Sequence, residues 1–168
     1  DAICYFSYVA RVIGRSGLTI HGSDNGVELQ RAKQVRELAG EGRHVVVVSS
    51  CDPGVFAMAS AVFEAVENVP LSWRELDISV LPGITAMLAA AARLGAPLGH
   101  DFCVINLSDN LKPWSIIETR LRLAVEADFA MAFYNPRSKA RPEGFEKALD
   151  LLKSACEKER LIMFARAV

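Results

Sequence analysis

The stretch HVVVVSSCDPGVFAMA, residues 44–59, passes from four consecutive valines through a Ser-Ser-Cys-Asp-Pro-Gly loop into an apolar segment. Valines without polar alternation suit a strand covered on both faces, as inside a parallel sheet. Asp52 suits a helix cap and Pro53 a first helical turn, so a strand over 44–50 and a helix over 55–66 are expected. The same rhythm continues outward. Residues 25–39 read as a helix capped by Asn25, with Ala32, Val35, Leu38 and Ala39 on one face and Gly40 and Gly42 ending it. Residues 77–81, 102–107, 128–133 and 161–165 read as strands, and 85–94 and 144–155 as helices. The alanines of 85–94 would allow close approach to a sheet. Ser115 and Glu118 have capping-box spacing ahead of a helix that buries Ile117, Leu121, Ala124 and Val125.

Short strands alternating with helices predict an α/β fold with mainly parallel sheets. The breakers of Gly95-Ala96-Pro97-Leu98-Gly99-His100 mark the expected boundary between an N-terminal α/β domain, 1–98, and a C-terminal α/β domain, 99–168. Ala2-Ile3-Cys4-Tyr5 reads as a strand in progress directly behind Asp1, as expected of an incomplete chain.

Composition narrows the function classes. A 51% hydrophobic content and a mean hydropathy of +0.21 describe a chain able to bury a core. Lys and Arg total 19 against 20 Asp and Glu, so no basic excess points to nucleic acid. Cys4, Cys51, Cys103 and Cys156 stand far apart, without zinc-ligand spacing, and read as reduced thiols of a cytoplasmic protein with no metal site. No apolar run approaches the length of a membrane span.

The chemistry is expected at the carboxyl ends of parallel strands, where loops and helix N-termini face the ligand crevice. Three loops qualify. In the first, 49–59, Asp52 and Gly54 shape an open turn. In the second, 81–92, Pro82 and Gly83 end a strand and Thr85 caps a helix. In the third, 132–141, Tyr134 and Asn135 leave a strand and Arg137, Lys139 and Arg141 follow. Capping explains the first two singly, and a solvated face explains the basic cluster.

Taken together, in this order, the loops resemble the tetrapyrrole methylases, S-adenosylmethionine enzymes that methylate uroporphyrinogen and the precorrins. The family's G-D-P-x-x-[YF] motif matches at Asp52, Pro53 and Phe56, and its P-G-[IV]-[ST]-[AS] motif at Pro82, Gly83, Ile84, Thr85 and Ala86. The segment GAPLGHDFCVINLSDNLKPWSIIETRL, 95–121, and the turn FYNPRS, 133–138, are similar to the branch that methylates C17 of precorrin-3B. The resemblance implies two α/β domains with the methyl donor in the cleft between them. The family's opening strand with its G-x-G-P-G-D loop, and its last strands, would lie outside these residues. Cys51 replaces the family's glycine, where a positive φ would strain a cysteine.

The resemblance also implies roles. Ser50, Cys51, Asp52, Val55, Phe56, Thr85, Ala86, Tyr134, Asn135 and Ala167 would contact S-adenosylmethionine, mostly through backbone. Lys112, Arg120, Arg137, Lys139 and Arg141 would clamp the acetate and propionate groups of a precorrin-3B-type substrate. Methylation at C17 would accompany ring contraction to precorrin-4, in which C20 is extruded and a C1 hydroxyl loses its proton; His100, Asp101 and Asp109 are the candidate bases. A homodimer is implied as well. Competing readings are a cobalt-bearing precorrin of the anaerobic route, another precorrin, diphthine synthase chemistry, or a noncatalytic α/β binding module.

Overall fold

Ile3 and Cys4 are 0% and 1% exposed, and the N-terminal sheet is built around them. The computed structural model describes residues 1–12, 14, 16–24, 27–67, 75–110, 112–137 and 142–166. They fall into two compact units, Asp1–Thr85 and Ala86–Val168. The sequence placed its boundary ten residues or more further on, at 95–100; the helix between belongs with the second unit.

In unit 1, β1 (Ala2–Tyr5) is followed by the single turn α1 (Phe6–Val9) and by β2 (Ile20–Ser23). Then come α2 (Glu28–Gly40), β3 (Val46–Val47) and α3 (Met58–Glu67). The three strands are parallel in the order β2-β1-β3, with Ala2 opposite Ile20 on one side and Val46 on the other. The inner strand is thus β1. The valine run contributes only two ladder residues, and Val46 is 61% exposed, because β3 has no second neighbour among the described residues. The expected strand at 77–81 is irregular for the same want of a partner, and Leu81 is 81% exposed. Ala32 of α2 packs with Met58 and Val62 of α3, joined by Val47, Ala61, Ala65 and Ile78. Of the predicted face of α2 only Ala32 is buried here; Val35, Leu38 and Ala39 are half-buried, and Arg31 is buried beside Ala32. Its expected cap, Asn25, lies outside the described residues, and Val27 in the cap position offers no side-chain bond. After α2 the chain turns at Gly42, φ +81°, where Gly42 N–H donates to the Ala39 carbonyl.

Unit 2 opens with α4 (Ala86–Leu94), closed by Gly95 at φ +65° with Ala96 N–H donating to the Ala91 carbonyl. β4 (Phe102–Asn106) and β5 (Ala130–Tyr134) pair in parallel, Phe102 with Ala130 through Asn106 with Tyr134. Between them runs α5 (Trp114–Glu126), and after them α6 (Gly144–Ala155), whose limits match the sequence expectation. Ile105, Leu107, Ile117, Leu121, Ala124, Ala148 and Leu151 form the core. The predicted capping box is absent. Pro113 precedes α5 without a side-chain cap, and Glu118 instead pairs with Arg122 one turn on. Asp128 forms a left-handed turn, φ +53°, so β5 starts two residues later than expected. No residue of α4 is buried, contrary to close packing on a sheet, and 161–166 form no strand.

Leu121 is 0% exposed among these apolar neighbours. Truncation to alanine removes their partner and leaves a cavity. Leu121→Ala should cost about 3 kcal/mol, read as a lower denaturant midpoint at unchanged slope.

Candidate active site

Asp52 organises the loop that follows β3. One carboxylate oxygen, Oδ1, accepts the Gly54 N–H at 2.7 Å; the other, Oδ2, accepts the Gly83 N–H at 3.1 Å. The sequence cast Asp52 and Pro53 as the start of a helix over 55–66, yet α3 begins only at Met58. Residues 52–57 are instead a wide turn. It is closed by Ala59 N–H donating to the Pro53 carbonyl at 3.0 Å, and the Asp52 carboxylate binds it to the Pro82-Gly83 loop 31 residues away. The approach is tight: a Cβ on Gly83 would fall against the Cys51 carbonyl oxygen. Glycine at 83 is thus a matter of space rather than of φ.

Cys51 has φ +60° and Phe56 φ +51°, both in the left-handed region. The expectation that position 51 demands a glycine-like backbone therefore holds. Ser50, Cys51 and Phe56 are exposed, Asp52 and Val55 half-buried, and Thr85 is buried at the end of the second loop. Asp52 spends both carboxylate oxygens on backbone N–H groups. What the loop offers a ligand is mainly its exposed backbone, which suits a donor held by shape and by N–H and C=O groups.

In unit 2 the corresponding loops leave β4 and β5 at their carboxyl ends. Tyr134 accepts the Met87 N–H on its hydroxyl at 2.8 Å, which fastens the first turn of α4 to the end of β5. That bond ties α4 to β5 within this unit, and it places Ala86 beside the strand end. Asn135, φ +50°, donates from Nδ2 to Asn106 Oδ1 at 3.2 Å, and the same oxygen accepts the Ser108 N–H at 2.9 Å. The Ser108 carbonyl in turn accepts Lys112 Nζ at 2.9 Å. Asn106 went unnoticed in the sequence; its signal was an Asn at a strand end two residues before a serine.

The remaining candidates divide. His100 and Asp101 precede β4, and the Asp101 carbonyl accepts the Ala130 N–H at the start of β5. They sit at the amino end of the strands, roughly 15 Å along the sheet from Asn106 and Tyr134. Asp109 is exposed in the loop after β4, on the carboxyl side. Arg137 is exposed just beyond Asn135, whereas Lys139, Arg141 and Ala167 lie outside the described residues. Arg120 is not gathered with Lys112: it lines an apolar groove with Cys103, Val104, Leu123 and Phe129. Burial pushes the Cys103 thiol of that groove up, so it remains protonated at neutral pH. Among the described residues no cluster of His, Cys, Asp or Glu could hold a metal ion, and no helix is long and apolar enough to cross a membrane.

A sequence profile of the tetrapyrrole (corrin/porphyrin) methylases matches residues 15–168. The chain is 52% identical over 163 residues to a precorrin-3B C(17)-methyltransferase of Sinorhizobium sp., covering 97% of this chain and 64% of that protein. It is 46% identical over 128 residues to a probable cobalt-factor III C(17)-methyltransferase of Salmonella typhimurium, covering 76% of this chain and 52% of the other. The crystal structure of the methyltransferase CobJ superposes with a TM-score of 0.88 at 64% identity, covering 93% of this chain and 65% of that one. The chain thus spans 64% of the length of the Sinorhizobium relative, 52% of the Salmonella one and 65% of the CobJ chain.

Two substitutions test the loop geometry. Cys51→Gly removes a left-handed strain of ~1–2 kcal/mol and restores ~0.5–1 kcal/mol of unfolded-chain freedom. A net gain of about 1 kcal/mol should raise the melting temperature by about 3 °C in calorimetry. Gly83→Ala should lower stability by about 1–3 kcal/mol in the same measurement, since backbone rather than a flexible side chain must give way.

Proposed function

Because the chain belongs to the tetrapyrrole (corrin/porphyrin) methylases, we propose that it acts in cobalamin biosynthesis as an S-adenosylmethionine-dependent methyltransferase. It methylates precorrin-3B at C17 with ring contraction to precorrin-4. The observation that carries the reading is the Asp52 carboxylate, which joins the Asp-Pro-Gly loop to the Pro-Gly-Ile-Thr loop and so builds one surface from both family motifs. The Sinorhizobium relative, 52% identical and named for this reaction, supports the choice of substrate.

In unit 1 the donor contacts fall to Ser50, Cys51, Asp52, Val55, Phe56 and Thr85; in unit 2 to Ala86, Tyr134, Asn135 and Ala167. Lys112, Arg137, Lys139 and Arg141 receive the substrate's carboxylates. The donor supplies an already activated methyl group on a sulfonium. Held there, it would give that methyl in line to the electron-rich C17 carbon, and the sulfur would keep the bonding pair as S-adenosylhomocysteine. No side-chain nucleophile is needed, so the loops contribute positioning and exclusion of water. Of the three candidate bases, Asp109 stands on the carboxyl side of the strands and is assigned the proton that the substrate hydroxyl gives up in the ring contraction. The reading extends to a cytoplasmic homodimer.

The likeness to a cobalt-factor III enzyme supports a second reading, a cobalt-bearing substrate of the same skeleton. Incubating the full-length protein with labelled methyl donor and either precorrin-3B or its cobalt-bearing counterpart, followed by mass analysis, decides. A ring-contracted, singly methylated product from the metal-free substrate supports the first reading. Turnover of the cobalt form alone supports the second, and donor binding without turnover of either indicates a binding module. Arg137→Glu should raise the tetrapyrrole KM at least tenfold and leave the Kd for S-adenosylhomocysteine within twofold. An unchanged KM would return Arg137 to a solvated face.

A further inference from the structure

Arg31 is a buried cation without a carboxylate partner among the described residues: 2% exposed on α2, yet absent from every ion pair there. Its partners among the described residues are neutral groups. Its Nε donates to Ser23 Oγ at 2.8 Å and its Nη2 to the Asp24 carbonyl at 2.8 Å; its Nη1 lies 3.2 Å from Met58 Sδ, and Cζ stands 4.0 Å over the Tyr5 ring. Removing a guanidinium from water is costly, and an apolar side chain of similar volume often stabilises such a site as well or better. Packing alone therefore does not account for arginine here. What an apolar chain could not do is hold three elements at once in a fixed fork.

Those elements meet at the carboxyl end of the sheet. Tyr5 is the last residue of β1, Ser23 the last of β2, and Met58 the first of α3. Met58 is 3% exposed and adjoins Ala59, whose N–H closes the 52–57 turn on the Pro53 carbonyl. We propose that Arg31 is a positioning residue for the methyl-donor loop, setting the start of α3 through Met58 and thereby the turn that carries Asp52. The inference rests on the methylase reading above. It differs from simple stabilisation, because it predicts a loss confined to one of the two ligands.

The test uses the full-length protein, well below each variant's melting temperature. S-adenosylhomocysteine binding is measured by titration calorimetry, and the tetrapyrrole KM at saturating donor. Arg31→Gln and Arg31→Lys should each raise the Kd for S-adenosylhomocysteine at least tenfold and leave the tetrapyrrole KM within twofold. The lysine keeps the charge and loses the fork, so its failure to rescue is part of the expectation. An unchanged Kd in folded Arg31→Gln, wild-type binding by Arg31→Lys, or equal losses for both ligands would overturn the proposal. If neither variant folds, the double variant Ser23→Ala/Met58→Leu removes two of the acceptors and keeps the arginine; a Kd raised at least fivefold supports the role, and an unchanged one refutes it. Failure of the wild-type protein to bind S-adenosylhomocysteine would instead sink the methylase reading itself.

Discussion

The Asp52 carboxylate is the contact on which the candidate site of the first unit depends. A carboxylate accepting two backbone N–H groups makes charge-assisted bonds, stronger than neutral ones. Here they join segments 31 residues apart, at 2.7 Å to Gly54 and 3.1 Å to Gly83. Without that bridge the 52–57 turn would hang from β3 by two ladder residues and from α3 by one closing bond. The 81–85 segment, which forms no strand of its own, would lose the Gly83 hydrogen bond that ties it to the loop.

The bridge imposes conditions on its neighbours. Gly83 must come so near the Cys51 carbonyl that a side chain does not fit, and the chain at Cys51 must turn through φ +60° to present that carbonyl. Glycine would meet the second condition without strain, and this chain meets it with cysteine. A strained residue beside a ligand loop persists only where its surroundings over-determine it. Asp52 on one side and the β1–β3 ladder on the other supply that determination.

How much of this was legible in the sequence followed from how local each cause was. Helix α6 was read to its limits, and α5 on its buried face, because each has an apolar stripe at helical spacing against one core. The valine run misled. β-branched residues report a fit to extended backbone, whereas burial depends on neighbours, and among the described residues β3 has one where β1 has two. Asp-Pro was read as a cap because capping is the common local use of that pair; its distant partner, Gly83, leaves no mark at residue 52. Buried Arg31 was invisible for the same reason, its acceptors being spread over β2, the chain after it and α3. The motif loops themselves were legible because their chemistry depends on residue identity rather than on packing.

The second unit repeats the device of the first in neutral form. Asn106, at the end of β4, accepts the N–H of Ser108 two residues on, as Asp52 accepts that of Gly54, and its same oxygen reaches a second loop at Asn135. The backbone donor fixes which Asn106 atom is oxygen, and so which Asn135 atom is nitrogen; the Asn135 carbonyl oxygen must then face away from Asn106. Each unit thus ends a strand in an Asx turn whose remaining acceptor capacity captures a neighbouring loop. The difference is in strength. The carboxylate holds a turn that must bear a left-handed cysteine, while the amide holds Asn135, a residue type that tolerates φ +50° unaided.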